Sequence, residues 1–187
     1  MKMLTPAIFL DRDGVIIQNR PLYVRAWNDV RFIPKVKQML AQVSTSEYKI
    51  VIVTNQSAIG REIISLDQAK LINHQIVQKI IKNGGRVDGV FMCPHHPDAN
   101  CQCRKPLPGL FEQAAKELSL DLGRSFVFGD TWEDLLAGHR AGIRQYGLVL
   151  TGRGKKQLER VKPNEVNNAQ IFSNLVLALE ASVPINI

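Results

Sequence analysis

AIFLDRDG, residues Ala7 to Gly14, decides the fold. Four apolar residues run straight into Asp11-Arg12-Asp13-Gly14, and an apolar run of that length stopped by polar residues reads as a short buried strand. Its C-terminal end delivers two carboxylates, Asp11 and Asp13, to one point. The pattern recurs along the chain. Lys49 to Val53 is a β-branched strand stopped by Thr54-Asn55-Gln56-Ser57, and Val87 to Met92 runs into a loop of cysteines and histidines. Ser125 to Phe128 ends at Gly129-Asp130, and Tyr146 to Leu150 is a fifth strand. Helical segments separate these strands. Lys35 to Val43 repeats apolar residues every three to four positions, and Ser65 with Gln68 makes a capping box. That box opens an Ala69, Ile72, Ile76, Ile80 face, which Gly84-Gly85 closes. Pro108 opens a helix with Leu110, Ala114 and Leu118 on one side, and Asp134 to Ala141 and Ile171 to Ala181 read as two more.

Alternating strands and helices predict an α/β fold with a parallel sheet covered on both faces. In such sheets function collects outside the carboxyl ends of the strands, where Asp11, Asp13, Thr54, the cysteine loop and Asp130 all fall. The length of 187 residues suits one domain, and 45% apolar with 22% charged residues is the composition of an ordinary soluble globule. No apolar run is long enough to span a bilayer. The N-terminal MKMLTPAIFLDRDG passes from a few apolar residues directly into charge with no small-residue cleavage site, so a cytoplasmic location is expected. The net charge of +7 is dispersed. Its densest cluster, Arg153, Lys155, Lys156, Arg160 and Lys162, lacks the aromatic interleaving of a nucleic-acid surface, so no nucleic acid or membrane partner is expected, and the charge alone does not decide between a generally basic surface and a small anionic substrate. Nothing in the pattern requires more than a monomer.

Two carboxylates crowded at a strand end persist only with a cation between them or a proton on one of them. A hard divalent cation suits them, and Asp130 can complete its oxygen shell. Asp134, one helical turn on, either ligates the metal directly or holds a metal-bound water. The same set suits phosphoryl transfer to a carboxylate. Asp11 attacks in line, and Asp13 protonates the leaving alkoxide and later activates water. The Thr54 hydroxyl, the backbone N–H of Asn55 and Lys105 are the donors available to the transferring oxygens. Each element alone also reads as a turn or a cap; their order in one chain is what points to chemistry.

FLDRDGVI (Phe9 to Ile16), VTNQS (Val53 to Ser57), CRKPLPG (Cys103 to Gly109) and VFGDTWEDLLAG (Val127 to Gly138) resemble the motifs of the haloacid dehalogenase (HAD) superfamily. Within it the chain is most similar to the D-glycero-D-manno-heptose 1,7-bisphosphate 7-phosphatase family, over about residues 7 to 150. The resemblance implies one Rossmann-like HAD domain over residues 1–187 with a central, mostly parallel sheet and no large cap domain. It makes Asp11 the nucleophile and a Mg²⁺ ligand, and Asp13 the acid and base, with its backbone carbonyl on the metal. It makes Thr54 and Asn55 binders of the transferring phosphoryl group, Lys105 its neutraliser and Asp130 a Mg²⁺ ligand. One departure concerns Thr131, where close relatives usually carry a basic residue.

Cys93, His95, Cys101 and Cys103 put three thiols and an imidazole into one excursion, residues 93–103. That donor set matches a closed, structural, tetrahedral Zn²⁺ site. Cys-x-His spacing, and the ligand pattern of the related phosphatases, favour His95 over His96. Such a staple ends two residues before Lys105, and so positions Arg104 and Lys105. The resemblance gives Arg104 the substrate's second phosphate, a solvated arginine being the alternative.

The segment Gln18 to Phe32 covers the site, with Arg25 as a further phosphate contact and Tyr23 and Trp27 either contacting substrate or packing the loop. The implied reaction removes the phosphate at carbon 7 of the heptose bisphosphate, on the route to nucleotide-activated heptose for a bacterial envelope. Histidinol phosphate is the rival substrate, disfavoured because Arg20, Arg25 and Arg104 would face a cation. A non-catalytic binding or scaffold module is the rival of another class, disfavoured because Asp11 and Asp13 are both present.

Overall fold

Side chains alternate across a strand, and β1 (Thr5–Leu10) shows what that does here. Ile8 and Leu10 enter one hydrophobic cluster while Ala7 and Phe9 enter another. β2 (Lys49–Asn55) divides in the same way, Ile50 and Ile52 to one side and Val51 and Val53 to the other. A strand apolar on both faces needs cover on both. The computed structural model, which describes residues 3–184, places such cover on either side of a six-stranded sheet.

The first face is covered by α1 (Val36–Val43) through Val36, Met39, Leu40 and Val43. After the short α2 (Ser57–Gly60) comes α3 (Leu66–Ile81), which adds Ile72, Ile76 and Ile80 to that face. Its N-cap, Ser65, accepts a hydrogen bond from Gln68 N at 3.1 Å, as the capping pattern predicts. β3 (Gly89–Cys93) leads into the cysteine loop. The second face is covered by α4 (Gly109–Leu118) and, after β4 (Leu120–Gly129), by α5 (Trp132–Arg140). β5 (Gln145–Val149), the short α6 (Gly154–Gln157), β6 (Gln170–Phe172) and α7 (Leu175–Ser182) complete the chain, α7 packing Leu175, Ala178 and Leu179 onto the first face.

The strand order is β3-β2-β1-β4-β5-β6 with every pairing parallel. The chain winds outward from β1 in both directions, so the switch point lies between β1 and β4, where a crevice opens at the carboxyl ends. Residues 11–35, between β1 and α1, contribute two isolated bridges and one 3-10 turn at Trp27–Asp29 rather than a folded cap.

Two expectations need correcting. Ile171 to Ala181 is not one helix. Gln170–Phe172 pairs with Gly147–Val149 of β5, and the helix starts only after Asn174, whose side chain accepts from Leu177 N at 3.1 Å. The helix expected from Asp134 starts at Trp132, because Thr131 caps it.

Candidate active site

Asp11 follows the last residue of β1, Asp130 the last of β4, and Thr54 and Asn55 end β2. β1 lies between the other two, so Asp11 is flanked by the Thr54 hydroxyl on one side and Asp130 on the other. They line a cleft of about 260 Å³ together with Asp13, Arg104, Lys105 and Asp134.

Lys105 ties the cleft together. It is only 4% exposed, and its Nζ donates to Asp11 Oδ1 at 2.7 Å and to the Val53 carbonyl at 2.9 Å, and lies 2.6 Å from Asp134 Oδ1. Burial alone would lower its pKa, but the charges of Asp11 and Asp134 outweigh that and raise it, so the ammonium is firmly held. Its backbone is fixed by the Asn55 side chain, which donates to Lys105 O and accepts from Lys105 N, each at 3.2 Å.

One ammonium does not balance the carboxylates. Asp11, Asp130 and Asp134 are all buried, and each offers an oxygen within 4.8 Å of the others. Burial, reinforced by the neighbouring carboxylates and opposed by Lys105, pushes Asp11 up to about 8. Burial and the charge of Asp134 push Asp130 up to about 7, against hydrogen bonds from the backbone of Arg153 and the side chain of Asn19. A buried, electron-rich oxygen cluster of this kind fits a hard divalent cation. The hydrogen bonds indicate which oxygens would meet it. Asp130 Oδ2 accepts from Asn19 Nδ2 at 2.9 Å and Arg153 N at 2.7 Å, leaving Oδ1 for the cation. Asp134 has neither oxygen free, since Oδ1 meets Lys105 and Oδ2 accepts from Thr131 N at 3.0 Å and Thr131 Oγ1 at 2.7 Å. The Thr131 hydroxyl is therefore spent on Asp134, whose carboxylate in turn caps the start of α5 by accepting from Thr131 N.

Cys93, His95, Cys101 and Cys103 are also brought together. Sulfur to sulfur separations are 3.6 and 3.7 Å, and His95 Nδ1 lies 3.6 Å from Cys93 Sγ and 3.2 Å from Cys103 Sγ. Tetrahedral bonds of about 2.3 Å to sulfur and about 2.0 Å to nitrogen require edges of roughly 3.8 and 3.5 Å, so the donor set fits a zinc-sized ion. Burial and the adjacent thiols push Cys103 up to about 12. The loop is pressed onto its neighbours, for a Cβ added to Gly60 at the end of α2 would lie 2.1 Å from His96 N.

Arg25 is the expected site residue that does not line the cleft; its backbone N–H donates to the Asp29 carboxylate at 2.9 Å instead. Arg20, Arg61 and Arg153 line the cleft alongside Arg104. Sequence reasoning passed over Asn19, Gln56 and Arg153. The Thr151-Gly152-Arg153 turn belongs to the site because Gly152, at φ 58°, passes so close to Asp130 that a Cβ there would lie 2.2 Å from its Oδ2. The available signal was position, since this turn also follows a strand at the carboxyl edge.

A family model described as HAD-hydrolase-like matches residues 102–177. The chain is 40% identical over 166 residues to the D-glycero-β-D-manno-heptose-1,7-bisphosphate 7-phosphatase of Pasteurella multocida, covering 83% of this chain and 90% of that one. It is 36% identical over 151 residues to the enzyme of that name from Bordetella bronchiseptica, covering 81% and 84%. It belongs to the heptose 1,7-bisphosphate 7-phosphatase family of the HAD superfamily. The crystal structure of the D,D-heptose 1,7-bisphosphate phosphatase from B. bronchiseptica, complexed with magnesium and phosphate, superposes with a TM-score of 0.87 at 33% identity, covering 94% of this chain and 97% of that one. That of the Burkholderia thailandensis phosphatase gives 0.69 at 27%, covering 96% and 99%. Among the described residues of this chain no helix is long and apolar enough to cross a membrane.

Proposed function

We propose that the chain hydrolyses the phosphate at carbon 7 of D-glycero-D-manno-heptose 1,7-bisphosphate, with Mg²⁺, through an aspartyl phosphate on Asp11. The observation that carries this reading is the buried Lys105 ammonium bridging Asp11 and Asp134 at 2.7 and 2.6 Å. It keeps a carboxylate nucleophile in place and supplies positive charge where a phosphoryl group must approach. Asp11, Asp130 and the backbone carbonyl of Asp13 would hold Mg²⁺, which neutralises the oxygens of the transferring group. Asp134 anchors Lys105.

A carboxylate oxygen of Asp11 attacks phosphorus as the bond to the C7 oxygen breaks. Asp13 gives its proton to that oxygen, so the sugar alcohol leaves. Asp13, now ionised, takes a proton from water, whose oxygen attacks the same phosphorus. The bond to Asp11 breaks, inorganic phosphate is released, and both carboxyls return to their starting state. Thr54 and Asn55 donate to the transferring oxygens.

The second phosphate falls to the arginines at the mouth. Arg104 Nη1 is a buried donor with no partner among the described residues, and such a nitrogen is stabilised by an anionic acceptor. Arg20 and Arg61 line the same cleft and take the place expected of Arg25. Phosphate release from each anomer of the heptose bisphosphate, and from histidinol phosphate, tests the assignment. A kcat/KM for one anomer at least ~10²-fold above histidinol phosphate is expected, and the reverse ranking would refute it. The relatives' names favour the β anomer.

The thiol and imidazole cluster is proposed to hold a structural Zn²⁺, on the strength of its near-tetrahedral edges. All four positions would be filled by protein, so the ion staples the loop and does not meet substrate.

A further inference from the structure

Arg12 lies between the two aspartates of the first motif and is 2% exposed. A buried arginine is tolerated only when its charge is paired and its donors are used. Here Nη1 donates to Asn73 Oδ1 at 2.7 Å, Nη2 to Gln56 Oε1 at 3.0 Å, and Nε to Asp13 Oδ2 at 2.9 Å, with Nη2 also 2.8 Å from that oxygen. A guanidinium has donors only, so the Gln56 amide must present its oxygen to Arg12. This turns Gln56 Nε2 toward Asp13 Oδ2 at 3.0 Å and Thr54 Oγ1 at 2.8 Å.

Two consequences follow from those directions. Asp13 Oδ2 is surrounded by three nitrogens, whereas Oδ1 has a single longer contact, 3.2 Å from Arg12 Nη2. Thr54 Oγ1, having accepted from Gln56, keeps its O–H for another acceptor. We propose that Arg12 is a positioning residue: acting directly and through Gln56, it reserves Oδ1 of Asp13 for proton exchange with the leaving oxygen and the Thr54 hydroxyl for the phosphoryl group. The proposal rests on the reading of Asp13 as acid and base. Asn73, on α3, is the outer support of the network and does not line the cleft.

The test uses leaving groups. kcat/KM reports the steps up to formation of the aspartyl phosphate, in which a sugar alkoxide needs a proton and 4-nitrophenolate does not. Arg12→Met, Gln56→Met and Asp13→Asn are compared with the parent on the heptose bisphosphate and on 4-nitrophenyl phosphate, with folding followed by circular dichroism. Arg12→Met and Gln56→Met are expected to lose about 10²-fold on the sugar ester and less than about 10-fold on the aryl ester, the loss common to both being the share of the Thr54 hydroxyl, which meets the phosphoryl group of either substrate. Equal losses on both esters, or none, in folded variants would overturn the proposal. If Arg12→Met fails to fold, Gln56→Met, which removes no charge, decides alone. Asp13→Asn separates the two levels of argument. If it too loses both esters equally, the assignment of Asp13 fails; if it alone shows ester-selective loss, only the positioning role of Arg12 is refuted.

Discussion

In Mg²⁺-free buffer the stability of this protein should fall as pH rises from 5.5 to 7. Asp130 stands at about 7 in the folded chain against an ordinary 3.8, and Asp11 at about 8. The folded state therefore keeps protons that the unfolded state has already released above pH 4. Stability changes by about 1.4 kcal/mol per pH unit for each proton so retained. The sign is downward, because the unfolded state binds fewer protons. The two carboxyls share one crevice and the charge of Asp130 helps raise Asp11, so one proton rather than two is counted. Over 1.5 pH units that amounts to roughly 2 kcal/mol, or a Tm lower by about 4–8 °C in a domain of this size. Added Mg²⁺ should reverse the trend, since at pH 7 it meets ionised oxygens and at pH 5.5 it must displace a proton. At about a hundredfold excess over its Kd it contributes about 2.7 kcal/mol.

Thermal melts at both pH values, with and without Mg²⁺ and without chelator so that the cysteine loop is undisturbed, measure the effect. The Asp11→Asn, Asp130→Asn double variant isolates it, because it removes these two carboxyls and leaves the rest of the chain unchanged. A Mg²⁺-free Tm that is level or rises toward pH 7, or equal stabilisation by Mg²⁺ at both pH values, would refute the reasoning.

Three further outcomes are expected. Asp11→Asn should lower turnover by at least about 10³-fold, because the amide cannot form the acyl phosphate, yet raise the Mg²⁺-free Tm at pH 7.5, because the amide is buried neutral without taking up a proton on folding; melting and phosphate release read both. Asn19→Ala removes one of the two donors on Asp130 Oδ2 and should weaken Mg²⁺ binding about 10-fold, read by the Mg²⁺ concentration that gives half the thermal shift. Purified protein should carry one equivalent of zinc by elemental analysis, and Cys101→Ser should lower both that content and the Tm; a zinc-free protein with full stability would contradict the staple.

Legibility in the sequence followed the range of the interaction. Asp11, Thr54 and Asp130 were readable because an apolar run stopped by a polar residue is a local signal, and the sheet brings the ends together without further information. The four thiol and imidazole donors were readable because they are near neighbours in the chain. β6 was not, for Gln170–Phe172 is three residues long and followed by an apolar helix, so its periodicity merges with α7; only the exposed edge of β5 gives it a partner. Arg153 was invisible for a different reason: its contact with Asp130 uses a backbone N–H, which every residue type except proline has. The choice of Arg20 over Arg25 depends on how the loop turns. There the Asp29 carboxylate accepts the N–H groups of Arg25 and Ala26, while Arg20 Nε donates to the Asp29 carbonyl at 2.8 Å.

The layering of charge around the cleft explains why a basic chain has an acidic centre. Among the described residues the innermost layer holds Asp11, Asp130 and Asp134 with only Lys105 among them, and the rim holds Arg20, Arg61, Arg104 and Arg153. In the proposed reaction the rim would attract a bisphosphate and neutralise the phosphate that does not react. It cannot help the reacting one, which must come within bonding distance of an ionised carboxylate. Two like charges 4 Å apart repel by about 4 kcal/mol near a protein surface, and a phosphoryl group brings more than one. Lys105 is already divided between two carboxylates, so its single charge cannot offset both this repulsion and theirs. Asp11 and Asp130 would hold a divalent cation, whose charge would offset the repulsion between nucleophile and phosphate. On this account Lys105→Met should abolish turnover even at saturating Mg²⁺, because Asp134 would then lose its only cationic partner in the cleft and repel the substrate; activity restored to within 10-fold by Mg²⁺ alone, measured as phosphate release, would show that the metal and the ammonium are interchangeable and that the layered arrangement is not what the reaction requires.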